Sequence, residues 1–124
     1  MKEVMTSNAP RPGGHYSQAI IHNNIVYISG QLPTGLKANN KIPGTIEEQT
    51  QRALVNLDAI LEAAGTCKEN VLKTTIYIAD IDLWGRVNKS YADFFGKHKP
   101  ARSIVPTNKL HFGFLIEIEA IAAI

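Results

Sequence analysis

An alternation of apolar residues with glutamate near the C-terminal end constrains the fold more than any other stretch: Leu115-Ile116-Glu117-Ile118-Glu119-Ala120-Ile121-Ala122. Successive side chains of a β-strand point to opposite faces, so this stretch predicts a strand with one wholly apolar face. The other face carries Glu117 and Glu119 among aliphatic neighbours. Burying a charge is costly unless it is paired or hydrogen-bonded. That face is therefore expected to meet water, a cation, a ligand or another subunit.

Upstream of this strand, local signals predict two helices. The segment Thr45-Ile46-Glu47-Glu48 has the pattern of a capping box, and apolar residues recur behind it at helical spacing until Gly65. Asp80 or Asp82 is expected to cap a second helix that ends at Gly96. The apolar stripe of this second helix is predicted to consist of Trp84, Val87, Tyr91, Phe94 and Phe95.

The remaining β-prone segments are predicted to form strands at residues 16–22, 25–29 and 71–79, and in segments beginning at Arg102 and Phe114. The first two strands form a hairpin, because Asn23-Asn24 is a turn sequence able to adopt positive φ. Residues 1–14 and 32–44 contain several prolines and glycines, and we expect them to be a lead-in and a loop.

The predicted order of elements, β-β-α-β-α-β-β, indicates an α+β fold with a mixed sheet and both helices packed on one face. There are no repeats or linkers, so residues 1–124 are predicted to be a single domain. The other sheet face is left uncovered by its own chain. Since that face carries many aliphatic side chains, it is expected to be an interface.

The charge pattern argues against some classes of partner. The net charge is +2 and the basic residues are scattered, unlike the concentrated basic surface of a dedicated nucleic-acid-binding protein. No apolar run is long enough to span a bilayer, and the first residues lack the apolar core of a signal peptide. We therefore expect a soluble cytoplasmic protein without nucleic-acid or membrane partners, the alternative being an organelle if a targeting peptide has been removed. The single cysteine, Cys67, excludes an intrachain disulfide.

Arg102 and Glu117 are the strongest functional candidates. The guanidinium of Arg102 is a rigid fork that matches a carboxylate, and its structural alternative is an ion pair with Glu117 or Glu119. A carboxylate such as Glu117 can orient a water molecule and take or return a proton. Glu119 better suits a structural role. His22, His98 and His111 show no metal-ligand spacing, so they are expected at the surface and no metal is expected.

Several segments together resemble the RidA/YjgF family of reactive-imine deaminases. The resemblance rests on the C-terminal strand, on Pro100-Ala101-Arg102-Ser103, and on three further segments in family-like order: Gly14-His15-Tyr16-Ser17-Gln18-Ala19, Ser29-Gly30-Gln31-Leu32-Pro33 and Val87-Asn88-Lys89-Ser90-Tyr91. It implies a chorismate-mutase-like fold and a homotrimer whose sheets face inward, with ligand clefts between subunits.

The resemblance also implies roles for individual residues. Arg102 matches the arginine that binds the substrate carboxylate, and Glu117 matches the residue that handles water. Further positions expected to line the cleft are Tyr16, Ser29, Gly30, Asn88 and Ile104. Two departures bear on the choice of substrate. Ile104 stands where the family often has cysteine, and His15 replaces the usual proline beside the pocket.

The activity implied is hydrolysis of short 2-imino acids, 2-iminobutanoate and 2-iminopropanoate, to 2-keto acids and ammonia. No cofactor is expected, because an imine is already electrophilic. The first alternative is a regulatory protein that binds a metabolite in the same cleft without turnover. Another, less favoured, is an endoribonuclease or translation inhibitor, because ribonuclease chemistry usually needs paired His or Lys groups, or metals, beside a basic groove, and the sequence shows neither. Deamination of a different enamine, such as an aminomuconate-like compound, is a further alternative.

Overall fold

The computed structural model describes residues 1–36 and 44–124. Its helices and strands, numbered in chain order, are β1 (Lys2–Val4), β2 (Ala19–His22), β3 (Ile25–Gln31), α1 (Ile46–Ala63), β4 (Val71–Ile78), α2 (Trp84–Phe95), β5 (Ala101–Pro106) and β6 (Ile116–Ala123).

The strands form one sheet in the order β1-β2-β3-β6-β4-β5. All neighbours are antiparallel except β4 and β5, which run parallel because α2 crosses over between them. Helix α1 packs on β3 and β6, and α2 packs against α1. The predicted α+β fold, with a mixed sheet and two helices, is confirmed.

The central strand β6 has the two faces that its sequence predicts. One face is fully buried beneath the helices and consists of Ile116, Ile118, Ala120 and Ala122. Glu117, Glu119 and Ile121 alternate with these residues and are only half-buried. Across the sheet, Ile121 lies beside Tyr27, and Tyr27 lies beside Ile20, so an apolar row crosses the open face.

Leu115 was expected on the open face and is not part of it. The strand was predicted from Phe114 but begins at Ile116, and Leu115 packs against the buried core. Its backbone N–H donates to Oε1 of the buried Gln49 over 2.9 Å, which joins the start of β6 to α1.

Helix α1 begins and ends as predicted. The Thr45 hydroxyl accepts from the Glu48 N–H, and the Glu48 carboxylate accepts from the Thr45 N–H in return. At the other end, Gly65 has a φ of +84°, a conformation that glycine adopts without steric cost. Within the helix, the buried Asn56 amide donates to the backbone carbonyls of Leu32 and Thr34, so this helix also holds the segment that follows β3.

In the N-terminal half, the predicted turn is confirmed and two other predictions are not. The β2–β3 turn is confirmed, since Asn23 and Asn24 have φ values of 51° and 61°. Residues 16–18, however, precede β2 rather than form part of it. Residues 1–14 are not wholly irregular either, because β1 pairs with the edge of β2. So short a segment has no periodicity of its own, and the unpaired edge of β2 supplies its hydrogen-bonding partners.

The second helix starts later than predicted. The Asp80 carboxylate accepts from the Asp82 N–H and caps a short 3₁₀ turn, and α2 follows this turn at Trp84. Val87, Tyr91 and Phe95 of the predicted stripe are buried. Trp84 is 42 % exposed, so its assignment to the core was wrong.

The predicted loop at residues 32–44 lies partly outside the described residues, and the parts that are described, 32–36 and 44, contain no helix or strand. No helix among residues 1–36 and 44–124 is long and apolar enough to cross a membrane.

Candidate functional site

A cavity of about 660 Å³ opens beside the end of β3 and the start of β6. Sites for small molecules commonly have volumes of about 300–1,000 Å³. Of the residues selected from the sequence, the cavity is lined by Tyr16, Ser29, Gly30 and Glu117. These residues come from the segment before β2, from β3 and from β6, so the sheet itself brings them together.

A β-bulge sets the position of Gly30. Ile28 lies opposite Ala120 and Gln31 opposite Ile118, so β3 has two residues where β6 has only Glu119. A Cβ atom at position 30 would lie only 2.9 Å from Cδ of Glu117. The missing side chain therefore leaves the space that the Glu117 carboxylate occupies, rather than only space for a ligand.

The pKa of Glu117 is raised above its usual range. Partial burial is the main cause, because it disfavours the charged form, and the negative charge of Glu119 acts in the same direction. The nearby His111 opposes them and lowers the pKa of Glu117. A carboxyl group with a raised pKa that faces a cavity is suited to accepting a proton and returning it.

Ser29 and Tyr16 have structural bonds as well as a place in the cavity wall. The Ser29 hydroxyl donates to the Ser17 carbonyl over 2.7 Å, and the Ser29 N–H donates to the Gln18 carbonyl. The Tyr16 hydroxyl accepts from the Gly13 N–H over 3.4 Å, and its side chain is 52 % exposed. Through these two hydrogen bonds Ser29 joins the segment before β2 to β3. Tyr16 lies at the mouth of the cavity.

Three of the residues selected from the sequence do not line the cavity: Arg102, Asn88 and Ile104. Arg102 Nη1 donates to the Asn88 Oδ1 atom over 3.0 Å. The centre of its guanidinium lies 4.8 Å from the Tyr91 ring and 5.5 Å from the Trp84 ring, so residues of α2 orient the cation. Ile104 lies beside the buried Ile76 of β4 and packs against the core.

Arg102 and Glu117 lie on opposite faces of the sheet. On β4, Arg102 is the neighbour of Thr74, which is buried beneath the helices, whereas Glu117 is the neighbour of Tyr77 on the open face. No ion pair joins Arg102 to an acidic residue within the described parts of the chain. The structural alternative of an ion pair with Glu117 or Glu119 is therefore wrong within one chain. Glu119 instead accepts from the Tyr77 hydroxyl over 2.8 Å.

Sequence reasoning missed residues that line the cavity beside Glu117. His111 is exposed, as expected, but neither it nor Arg11, Gln18 and Phe112 was assigned a role in the site, and all four line the cavity. The only signal for His111 was its position shortly before the strand, which places it at the same end of the sheet as Glu117. Nothing in the spacing of Arg11 indicated the cavity.

Phe112 holds a backbone conformation that is rare for an aromatic residue, with a φ of 61° and a ψ of 13°. Its ring packs edge-on against the His111 ring, with 3.8 Å between ring centroids, and more distantly against Phe114. A left-handed conformation costs a bulky residue about 1–2 kcal/mol. The surrounding contacts must offset this cost, and they hold His111 at the cavity.

The other candidates from the sequence do not line this cavity, although His15 stands between two residues that do. His15 and His22 are exposed, His98 contacts the Val71 carbonyl through Nε2, and Cys67 is an exposed free thiol. Among residues 1–36 and 44–124, no group of three His, Cys, Asp or Glu side chains is arranged to hold a metal ion.

Comparison with known proteins identifies the family. The model of the family described as Endoribonuclease L-PSP matches residues 6–124. The chain belongs to the Endoribonuclease L-PSP family. A RutC family protein of Pyrococcus horikoshii is 47% identical over 123 residues, covering 98% of each chain. The 2-iminobutanoate/2-iminopropanoate deaminase of Rattus norvegicus is 42% identical over 121 residues, covering 98% of this chain and 88% of the relative.

A solved structure also matches this member of the Endoribonuclease L-PSP family. The crystal structure of a putative endoribonuclease from Thermotoga maritima has a TM-score of 0.95 and 44% sequence identity, covering 100% of this chain and 98% of the other. Relatives of this protein carry RutC and Rid family names, so the predicted membership of the RidA/YjgF family is confirmed.

The fit between Gly30 and Glu117 leads to a prediction for Gly30→Ala. The new methyl group meets the far end of a flexible side chain, so the carboxylate is expected to turn towards water while the fold stays intact. Its raised pKa should then fall towards the ordinary value, because solvation favours the charged form. Carboxyl ¹³C NMR titration measures this pKa, and thermal unfolding checks the fold.

Gly85→Ala is the matched control, since a Cβ atom there meets nothing within 4 Å and the residue lies on α2, away from the cavity. It should leave the pKa of Glu117 unchanged. An unaltered pKa in Gly30→Ala would show that Gly30 does not determine where this carboxylate lies.

Proposed function

We propose that the protein is an enamine/imine deaminase that hydrolyses short 2-imino acids, 2-iminobutanoate and 2-iminopropanoate, to 2-keto acids and ammonia. The observation that carries the proposal is the half-buried Glu117, whose pKa is raised and which faces the cavity. Support also comes from the Rattus norvegicus relative that bears the name of this activity. The closely similar Pyrococcus horikoshii relative has only a family name, so the choice of substrate belongs to the proposal.

In the proposed reaction Glu117 handles the protons. The enamine tautomer first takes a proton from solvent on its carbon, which gives the iminium ion with an electrophilic carbon. Glu117 accepts a proton from a water molecule while the water oxygen bonds to that carbon. Glu117 then returns its proton to the nitrogen of the carbinolamine, the carbon–nitrogen bond breaks to release ammonia, and the hydroxyl group loses its proton to solvent as the carbon–oxygen double bond of the 2-keto acid forms. Positioned general acid–base catalysis of this kind contributes about 100- to 10,000-fold.

The substrate carboxylate is proposed to bind Arg102. One of the five N–H donors of its guanidinium bonds to Asn88, which leaves others for a bidentate contact with a carboxylate. The Gly30 amide is proposed as a further donor. Because Arg102 lies on the helix-covered face and Glu117 on the open face, we propose that Arg102 of the partner subunit completes the site.

A homotrimer fits this arrangement. The open face contains an apolar row through Ile20, Tyr27 and Ile121, which the two helices of the chain do not cover. A cyclic assembly buries such a face and repeats the same contact between every pair of neighbours. In it, the edge strand β5 that carries Arg102 approaches the cavity of the next subunit, so three equivalent sites form.

Mixing two inactive variants tests whether the site is shared. Glu117→Gln and Arg102→Ala are each expected to lower kcat/KM about 100-fold or more while the trimer persists. Arg102→Lys should not restore full activity, because lysine lacks the planar fork. When the two inactive variants are unfolded, mixed equally and refolded, about one quarter of the sites should combine an intact arginine with an intact glutamate, given random cyclic assembly.

Recovery of about that fraction of wild-type activity supports a site built from two subunits. A mixture as inactive as its parents would show that both groups act within one chain. Native mass spectrometry, run in parallel, measures the assembly, and a monomer mass at micromolar concentration would contradict the trimer. A wild-type protein that binds 2-keto acids but hydrolyses no imine faster than buffer would instead be a metabolite-binding regulator.

The raised pKa of Glu117 predicts an acid limb in the pH dependence of kcat/KM. Activity should fall as the pH drops through this pKa, because a protonated carboxyl group cannot accept a proton from water. The inflection should lie above the ordinary glutamate value of about 4.3. His111→Ala should move it higher still, since the positive charge of the imidazole lowers this pKa, whereas Glu119→Gln should move it lower. An inflection unaffected by either change would rule out Glu117 as its source.

A second candidate function is RNA cleavage, and one observation favours it. Glu117, His111 and Arg11 line the same cavity, which supplies a carboxylate and an imidazole as base and acid, with a guanidinium for phosphate. If this activity is real, Glu117→Gln and His111→Ala should each slow the cleavage of single-stranded RNA about 100-fold. Cleavage that persists at the wild-type rate in both variants would assign it to a contaminating nuclease.

A further inference from the structure

The cavity contains a cation that the proposed deamination does not use. Arg11 lies at its rim, with an exposed side chain. Within the described parts of the chain it makes no ion pair and no side-chain hydrogen bond, whereas Arg52 and Arg86 both have partners. A guanidinium remains charged at any working pH, so Arg11 offers a permanent positive charge to whatever occupies the cavity.

The backbone beside Arg11 is fixed in place by Gln18, whose side chain is only 1 % exposed. The Gln18 amide donates to the backbone carbonyls of Thr6 and Pro10, each over 3.0 Å, and its oxygen accepts from the Thr6 N–H over 2.7 Å. Since Pro10 is the residue before Arg11, this buried amide sets where the arginine leaves the backbone. The Arg11 side chain therefore starts from a backbone position that is fixed in the wall of the cavity.

The cavity is larger than a four-carbon imino acid requires. Its volume is about 660 Å³, and Leu32 and Phe112 supply apolar surface between its polar groups. No ion pair or hydrogen bond joins Arg11 to Glu117, although both line the cavity. The cation and the carboxylate are therefore not in direct contact, and both face the same cavity.

The charges in the cavity restrict where a second acidic group of a ligand can bind. Near Glu117 such a group would be repelled by Glu117 and by the neighbouring Glu119. At the rim it would meet Arg11, and a carboxylate there forms charge-assisted hydrogen bonds that an alkyl side chain cannot form. A methyl or ethyl group at the same position would cover part of the guanidinium surface without providing a partner.

We propose that the cavity accepts 2-imino dicarboxylic acids of four or five carbons, with Arg11 binding the carboxylate at the far end of the substrate. This inference rests on the proposed function, because the reacting centre and its chemistry are the same. Water adds to the imine carbon and ammonia leaves, so the product is a 2-oxo dicarboxylic acid. Arg11 is then a specificity-determining residue that touches the substrate away from the reacting atoms.

A competition between substrates tests the inference. Imines are generated in place by an oxidase acting on acidic amino acids and by one acting on alanine, and kcat/KM is measured for each. The wild type is expected to prefer the imino dicarboxylate. Arg11→Ala should lower the ratio of the two kcat/KM values about tenfold, mainly through a higher KM for the dicarboxylate. Arg11→Lys should restore part of this ratio, because it keeps the charge but not the fork.

Lys97→Ala removes an equally exposed cation that does not line the cavity, and it should keep the wild-type ratio. A wild type that prefers the monocarboxylate, or an Arg11→Ala variant with an unchanged ratio, would overturn the inference while the deaminase proposal stands.

Equilibrium binding separates the two proposals if no imine is hydrolysed. Calorimetry compares 2-oxoglutarate with 2-oxobutanoate as stable product ligands for the wild type and for Arg11→Ala. Tighter binding of 2-oxoglutarate that is lost in the variant would support the Arg11 subsite, and only the deaminase proposal would then be refuted. Equal binding of the two ligands, or no binding of either, would refute the subsite.

Discussion

The carboxylates on the central strand determine which side of the sheet the helices can cover. Glu117 and Glu119 belong to β6, which has strands on both sides, so neither can turn away towards a sheet edge. Burying an unpaired carboxylate costs several kcal/mol. The helices therefore pack on the apolar face, and the opposite face stays open to water, ligands or other subunits. Even on that face the charges need support, and Glu119 receives it from the Tyr77 hydroxyl.

Within one chain, the sheet also keeps the opposite charges of Arg102 and Glu117 on different faces. Had Arg102 shared a face with Glu117, the two would form an ion pair, and a ligand would need to break it first. Instead α2 holds the cation through Asn88 and two aromatic rings, while the carboxylate stays half-buried on the other face. Each group is positioned by its own surroundings, so neither has to be reorganised when a substrate binds.

The features that the sequence predicted correctly are those that neighbouring residues decide. The faces of β6 follow from alternation, the start of α1 from a capping box four residues long, and the hairpin turn from two asparagines. The late start of α2 was missed because Asp80 caps a 3₁₀ turn first, and a cap by itself does not specify which kind of helix follows. Such boundaries depend on the packing of the whole element.

The candidate site was only partly predictable, because it depends on distant parts of the chain. Tyr16, Ser29, Gly30 and Glu117 were selected from the sequence and do line one cavity. The place of Arg102 on the other face follows from its pairing with β4, which the sequence did not reveal. Arg11 and His111 reach the cavity only because a buried glutamine and a left-handed phenylalanine direct the chain there. Neither arrangement has a local sequence pattern from which it could be predicted.

The close approach of Gly30 to Glu117 couples the two positions, although they lie far apart in the sequence. The residue at one position affects which residue fits at the other. Glycine at one position permits a long acidic side chain at the other, and a larger residue at the first would suit only a shorter acid at the second. A change at either position alters what the side chain at the other can do, so the bulge in β3 limits which bases can take this place in the cavity. Anyone redesigning this protein for a new reaction would have to choose the two residues together.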